Sequence, residues 1–171
     1  MTLAELKTLI QNYTENEETT FVSSLNDFII NSEERLFQLI QLDYFRKNVT
    51  GNLTTANTYL TAPSDFVMSF SLAIIDTIPE YHYLDKKHAT FMREYNRDTI
   101  AESQRGKPLY YADFDKELST GADNGSTLIV APIPDRDYTV ELHYLYQPTS
   151  LTSSTTGTWL SKNARNALLY G

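Results

Sequence analysis

The sequence predicts an α+β protein: a helical bundle of two N-terminal helices and one C-terminal helix, carrying an inserted β-rich lobe of short antiparallel strands and one short helix. Three observations carry this. Apolar residues recur at helical spacing through the first forty positions, they alternate with period two near 66–74 and 138–146, and a helical pattern returns at 159–171. Residues 1–45 and 159–171 are assigned to the bundle, 46–148 to the lobe, and the Ser/Thr-rich 149–158 to a linker without periodicity.

Thr2 followed by Glu5 forms a capping box, and Leu3, Leu6 and Ile10 mark a first amphipathic helix. Thr14 and Glu17 repeat that spacing, so a second helix is expected from about Glu17 to Leu42. Phe21, Leu25, Phe28, Ile29, Leu36, Leu39 and Ile40 lie on its broad stripe. Val22, Ile30 and Phe37 fall off it, which suggests contact on a second side.

The Gly-Asn of "NVTGNLTT" predicts a hairpin. In "DFVMSFSLAII", Phe66, Met68, Phe70, Leu72 and Ile74 face one way as a half-buried strand, with Tyr81 to Leu84 its partner across a turn containing Pro79. Asp85 is expected to cap a helix from Lys86 to Tyr95 whose inner face is His88, Phe91, Met92 and Tyr95. "TLIVAPI" and "YTVELHYLY" read as strands joined at Pro134-Asp135. Ser161 is the expected N-cap of the closing helix, with Ala164, Ala167 and Leu168 on its inner face.

Composition narrows the function classes. The 171 residues contain no Cys, which excludes disulfides and thiolate metal sites. Lys+Arg is 14 against Asp+Glu 22, a net charge of -8, the reverse of the balance that neutralises phosphates, so duplex DNA is expected to bind weakly. No segment approaches a membrane span or a signal-peptide core, and no membrane partner is expected.

No catalytic constellation emerges, and neither a cofactor nor a metal is expected. His82, His88 and His143 are not spaced as a zinc helix motif. Asp113, Asp115 and Glu117 open like a calcium loop, but Leu118 stands where Gly is needed and Asn124 where the twelfth-position Glu belongs. "GKP" lacks a phosphate loop's first Gly, with Ala101 there, and its Ser/Thr, with Pro108 there. The chain is therefore expected not to be an enzyme. Twelve Tyr are the unusual feature, suited to cores, protein interfaces and sugar platforms. The candidate subunit or partner interface is Phe21, Ile30, Phe37, Tyr110, Tyr111, Pro132, Pro134, Asp135 and Trp159.

"TLAELKTLI", "FIINSEERLFQLIQLDYF", "YLTAPSDF", "GKPLYYADF", "IVAPIPDRDYTVELHYLYQPTSL" and "WLSKNARNALLYG" recur in this order over nearly the whole chain, and together they resemble the head-to-tail adaptor proteins of short-tailed bacteriophages. The resemblance implies a ring, usually of twelve subunits, beneath the portal vertex. A portal protein would lie above it and a tail nozzle, tube or fibre component below. Viral DNA would pass through the channel without specific binding, which an acidic lumen favours by repelling phosphates. It also implies a place at the head–tail interface of the virion, after synthesis in the host cytoplasm. The apolar excess on the helix of residues 21–40, which only neighbours would hide, leads to the expectation that rings form mainly on the portal. In that family the closing helix continues past the equivalent of "ALLYG", so the natural product is expected to extend beyond Gly171. The alternative from another class is a carbohydrate- or receptor-recognition module of a phage tail component, with the tyrosine clusters as platforms.

Overall fold

The computed structural model describes residues 1–40, 43–76, 80–97, 102–116 and 126–170. Leu42, Pro79, Ala101, Glu117, Leu118, Asn124 and Gly171, each invoked above, lie outside them. The fold is α+β. It divides into two compact units, Met1–Asp43 with Pro148–Gly171, and Tyr44–Gln147.

In the first unit, α1 (Leu3–Thr14) starts on the expected capping box: Thr2 N donates to Glu5 at 2.8 Å, and Glu5 N donates to the Thr2 hydroxyl at 3.3 Å. α2 (Thr19–Leu39) begins later than its sequence suggests. Thr14 does not cap it; α1 runs on to Thr14, whose hydroxyl donates to the Ile10 carbonyl at 2.9 Å. Glu18 is the N-cap and makes no side-chain cap bond. The closing segment is two short helices, α4 (Trp159–Asn163) and α5 (Arg165–Tyr170), broken at Ala164. Its N-cap is Thr158, not Ser161: Ser161 is committed as the third residue of that capping box, its hydroxyl accepting from Thr158 N at 2.9 Å.

The core of this unit gathers Leu6, Ile29, Leu151, Leu160 and Leu168, with Leu36 and Trp159 packed against it. α5 packs on both α1 and α2. Leu151 comes from the Ser/Thr-rich segment and is fully buried; both Glu33 carboxylate oxygens accept its N–H, at 3.0 and 3.2 Å. Gly157 closes this segment at φ +82°, where a Cβ would sit 3.0 Å from the Ser161 hydroxyl and 3.3 Å from the Met1 carbonyl. An L side chain in the left-handed region costs about 1–2 kcal/mol. Gly157→Ala is therefore expected to lower the stability of this unit by about that much, read as a fall in the denaturation midpoint; an unchanged midpoint would contradict it.

The second unit holds two four-stranded sheets. One has the order β1 (Arg46–Leu53), β8 (Tyr138–Tyr146), β3 (Phe66–Ile75), β4 (Tyr81–Tyr83), all antiparallel. The other has the order β2 (Tyr59–Thr61), β7 (Ser126–Ala131), β6 (Tyr110–Lys116), β5 (Asp85–Lys86). Here the antiparallel expectation fails at one place, because β5 pairs with β6 in parallel. Leu53, Leu60, Leu72, Ile74, Leu128, Val130, Val140 and Leu142 belong to one core drawn from strands of both sheets. α3 (Ala89–Tyr95) covers the second sheet's other face through Met92, Ala112, Ile129 and Ala131. Covered on both faces, β7 is apolar without alternation.

Three local readings are corrected. The Gly51-Asn52 hairpin does not form: β1 runs through it, Gly51 pairing with Val140 and Asn52 with Thr139, so the ladder overrides the turn signal. Asp85 and Lys86 are strand, and α3 starts four residues later than Asp85 with His88 as N-cap, its ring nitrogen accepting from Thr90 N at 3.3 Å. His88 is thus an exposed cap and not an inward-facing group. In β3, register shifts at Phe66/Met68 and Ser69/Ser71 leave Met68 exposed and bury Ser69.

Candidate assembly surface

On α2 the buried stripe is Leu25, Ile29 and Ser32, continued by half-buried Leu36. At ~100° per residue, Phe21, Phe28 and Leu39 lie about 60° to one side of that stripe, and Ile30 and Phe37 about 120° to the other. Phe28 is 49% and Leu39 72% exposed, while Phe21 is half-buried with its ring 5.9 Å from that of Phe28. Ile30 and Phe37 are half-buried. The sequence placed Phe28 and Leu39 among the inward residues; their offset from Leu25 and Ile29 was the available signal.

A second aromatic group lies on the α3 side of the sheet unit. Tyr110, half-buried, meets Phe91 edge-on at 5.3 Å and Tyr95 at 5.6 Å. Phe91 and Tyr95 were expected on the inner face but are exposed, because Met92 alone of the four fills the space above β6 and β7. Lys87 Nζ stands 5.6 Å over the Tyr110 ring, and Arg93 lies 4.7 Å over Phe114.

The other expected interface residues divide. Tyr111 is 1% exposed, so its side chain is core and leaves the candidate surface; burial pushes its hydroxyl pKa up, against the pull of Ser69 beside it. Pro134 is likewise buried, its carbonyl accepting from Ala56 N at 2.9 Å. Pro132 is half-buried, Asp135 is exposed and accepts from the Tyr138 hydroxyl at 2.6 Å, and Trp159 packs on the helical core. The structure brings Pro132, Pro134 and Asp135 together on one loop, and Tyr110 beside α3.

Polar clusters in the sheet unit are built as ties. Lys86 Nζ donates to Asp113 at 2.6 Å and to the Ser69 hydroxyl at 2.8 Å, while Ser69 donates to Asp113. Ser69 is in β3 of one sheet and the other two in β5 and β6 of the second, so the cluster clips the sheets together. A Ser–Lys pair of nucleophile and base is a different arrangement: here Lys86 bonds both the Ser69 hydroxyl and Asp113 and ties the strands together. Among the described residues no group of three or more His, Asp or Glu is placed to hold a metal ion.

Asp65 accepts from Lys47 at 2.7 Å and from the Tyr144 hydroxyl at 2.9 Å. Burial works against its charge, but these two donors outweigh burial and hold the pKa below the usual aspartate value. Burial first, then the Asp65 carboxylate, pushes Tyr144 up to about 12. Asp76 is held low by its 2.6 Å bond from Lys107, helped by Lys107, His82 and Arg136 charge. A depressed carboxyl pKa contributes stability that is present above the unfolded value of 3.8 and lost as pH falls through the folded value. The raised Tyr144 pKa contributes stability present below 10.0 and lost as pH rises toward about 12. Unfolding midpoints are thus expected to be flat in between and to fall at both ends. Asp65→Asn should flatten both limbs, since it removes one carboxylate and the acceptor that raises Tyr144; an acid limb as steep as wild type would overturn the assignment.

The α2 helix exposes Phe28 and Leu39, and the polar clusters described in the sheet unit are internal ties. The chain matches the family model described as SU10 adaptor protein over residues 1–171, and it belongs to that family. Its role is that of a bacteriophage adaptor, a structural component that assembles with other virion proteins. No curated protein matches the chain. No described helix is long and apolar enough to cross a membrane.

Proposed function

We propose that the protein forms a closed ring at the head-to-tail joint of a short-tailed phage, beneath the portal, where it extends the DNA channel and docks the tail. The observation that carries this is the apolar flank of α2 in an adaptor-family chain: Phe28 and Leu39 expose surface that a neighbouring subunit or the portal covers. The net charge of -8 per copy suits a wall past which DNA slides. Neither role requires turnover, and no hydrolase or nuclease activity is part of it. Tyr81 and Tyr83 are exposed on the edge strand β4, and these are the residues that a carbohydrate-recognition role would use.

Incubating the protein with the phage's portal ring and imaging the product by electron microscopy tests the reading. One added ring of density below the portal is expected, with the unmixed protein mostly monomeric by sedimentation. Absence of that ring, together with saturable binding to a glycan array lost in Tyr81→Ala/Tyr83→Ala, would replace it with the recognition role.

A further inference from the structure

Copies that each carry -8 repel one another, so a joint between surfaces of unlike charge favours ring closure. A closed ring above two subunits also needs two different patches per chain, each complementary to the other. The chain presents one such pair. Residues 85–97 expose Arg93 and Arg97 against Glu94, while Lys86 is tied to Asp113 and Lys87 stands 3.8 Å from Asp85, which leaves a locally positive end in an acidic protein. Within it Phe91 and Tyr95 are exposed beside Tyr110, with Lys87 over the Tyr110 ring. The opposite character appears where α1 turns into α2. Glu15, Glu17 and Glu18 are exposed there, and no cation pairs with them among the described residues. Glu17 and the N-cap Glu18 stand just before the first turn of α2, and Phe21 and Phe28, seven residues apart, share one side of that helix, so its start is acidic and its flank aromatic.

We propose that, in the ring of the preceding reading, the acidic start of α2 and its Phe21–Phe28 flank in one copy dock on the α3 face of the next. Glu17 and Glu18 meet Arg93 and Arg97, and Phe21 and Phe28 pack on Phe91, Tyr95 and Tyr110. This inference rests on the ring reading and adds which surfaces make the joint. Each surface has an aromatic centre beside charges of one sign, the arrangement in which apolar burial supplies affinity and charge fixes the pairing. The contact is heterologous, because the α3 face cannot pair with another α3 face without bringing Arg93 and Arg97 of both copies together.

A charge swap tests it. Arg93→Glu/Arg97→Glu gives a copy acidic at both surfaces, and Glu17→Arg/Glu18→Arg one basic at both; all four side chains are exposed, so folding, checked by circular dichroism, is unaffected. Assembly is read as the fraction of full-length protein in rings on the portal, by sedimentation. Each variant alone is expected to fall at least tenfold below wild type, while an equimolar mixture returns to within about twofold, since each acidic surface then finds a basic one. Variants that assemble alone like wild type would remove this contact and leave the ring reading standing. A mixture as unassembled as its parts would overturn the charge pairing. Wild type that forms no ring on the portal would overturn both.

Discussion

Leu151→Ala is expected to destabilise the helical unit by about 2–5 kcal/mol, the range for truncating a fully buried leucine, which loses its transfer free energy and leaves a cavity. Leu151 sits in a segment of Ser and Thr that looks dispensable, yet it is 0% exposed among Leu6, Ile29, Leu160 and Leu168. Small domains have ~5–15 kcal/mol to lose, so the upper end of this range would unfold the unit. The same position is held through its backbone. Glu33→Ala leaves the Leu151 N–H without its acceptor, expected to cost about 1–3 kcal/mol, whereas Glu33→Gln keeps an oxygen there and should cost less. The chain's single Trp reports the event directly, because Trp159 packs on that cluster. Urea unfolding followed by its fluorescence should rank the variants Leu151→Ala, Glu33→Ala, Glu33→Gln in falling severity. A Leu151→Ala midpoint within experimental error of wild type would show the segment to be a passive tether.

Which parts of this architecture were legible in advance follows from how local their causes are. The capping box of α1 is made by Thr2 and Glu5, three residues apart, and it forms as read. β8 alternates cleanly at Tyr138, Val140, Leu142 and Tyr144 because it lies between β1 and β3 with one face on the core. The failures share a different origin. Gly51-Asn52 is a fair turn signal, but eight register pairs with β8 hold it straight. Asp85 and Lys86 become strand only because β6, more than twenty residues later, runs alongside in parallel. No window of sequence contains that partner. The Ser/Thr-rich segment shows no period because Leu151 alone, and not a repeating face, does its packing.

The candidate surface was legible in the same uneven way. An excess of apolar residues on α2 was visible, and it pointed to a second contact. Composition does not say which of them the monomer's own core takes up, so Phe28 and Leu39 were assigned inward and Tyr111 outward. The Tyr110-Tyr111 pair shows the reason: neighbours on a strand face opposite ways, and only the pairing of β6 with β7 and β5 decides which one meets the core. Lys86, read as the start of a helix, and Asp113, read as part of a calcium-like loop, meet at Ser69 across the sheets.

The largest effect on assembly is expected from Phe28→Asp/Leu39→Asp. Phe28 and Leu39 are 49% and 72% exposed, so the monomer gains little from them, and surface substitutions of this kind fall within about 0.5 kcal/mol. In the assembled state the same positions change character. An aromatic anchor at the centre of a protein interface is worth about 2 kcal/mol or more, and an aspartate there adds the cost of burying an unpaired charge. A factor of ten per 1.4 kcal/mol makes each joint at least ~25-fold weaker. In a closed ring every subunit contributes one such joint, so the loss is repeated at each and ring closure fails altogether. The variant should therefore match wild type in urea denaturation, show the same circular dichroism, and give no ring on the portal. Leu39→Asp alone should have the smaller effect, since Leu39 lies beyond the Phe21–Phe28 ring pair that forms the centre of the flank. A double variant that assembles like wild type would free the α2 flank from any role in the joint. One that loses more than about 2 kcal/mol of stability would show instead that the flank belongs to the monomer's core.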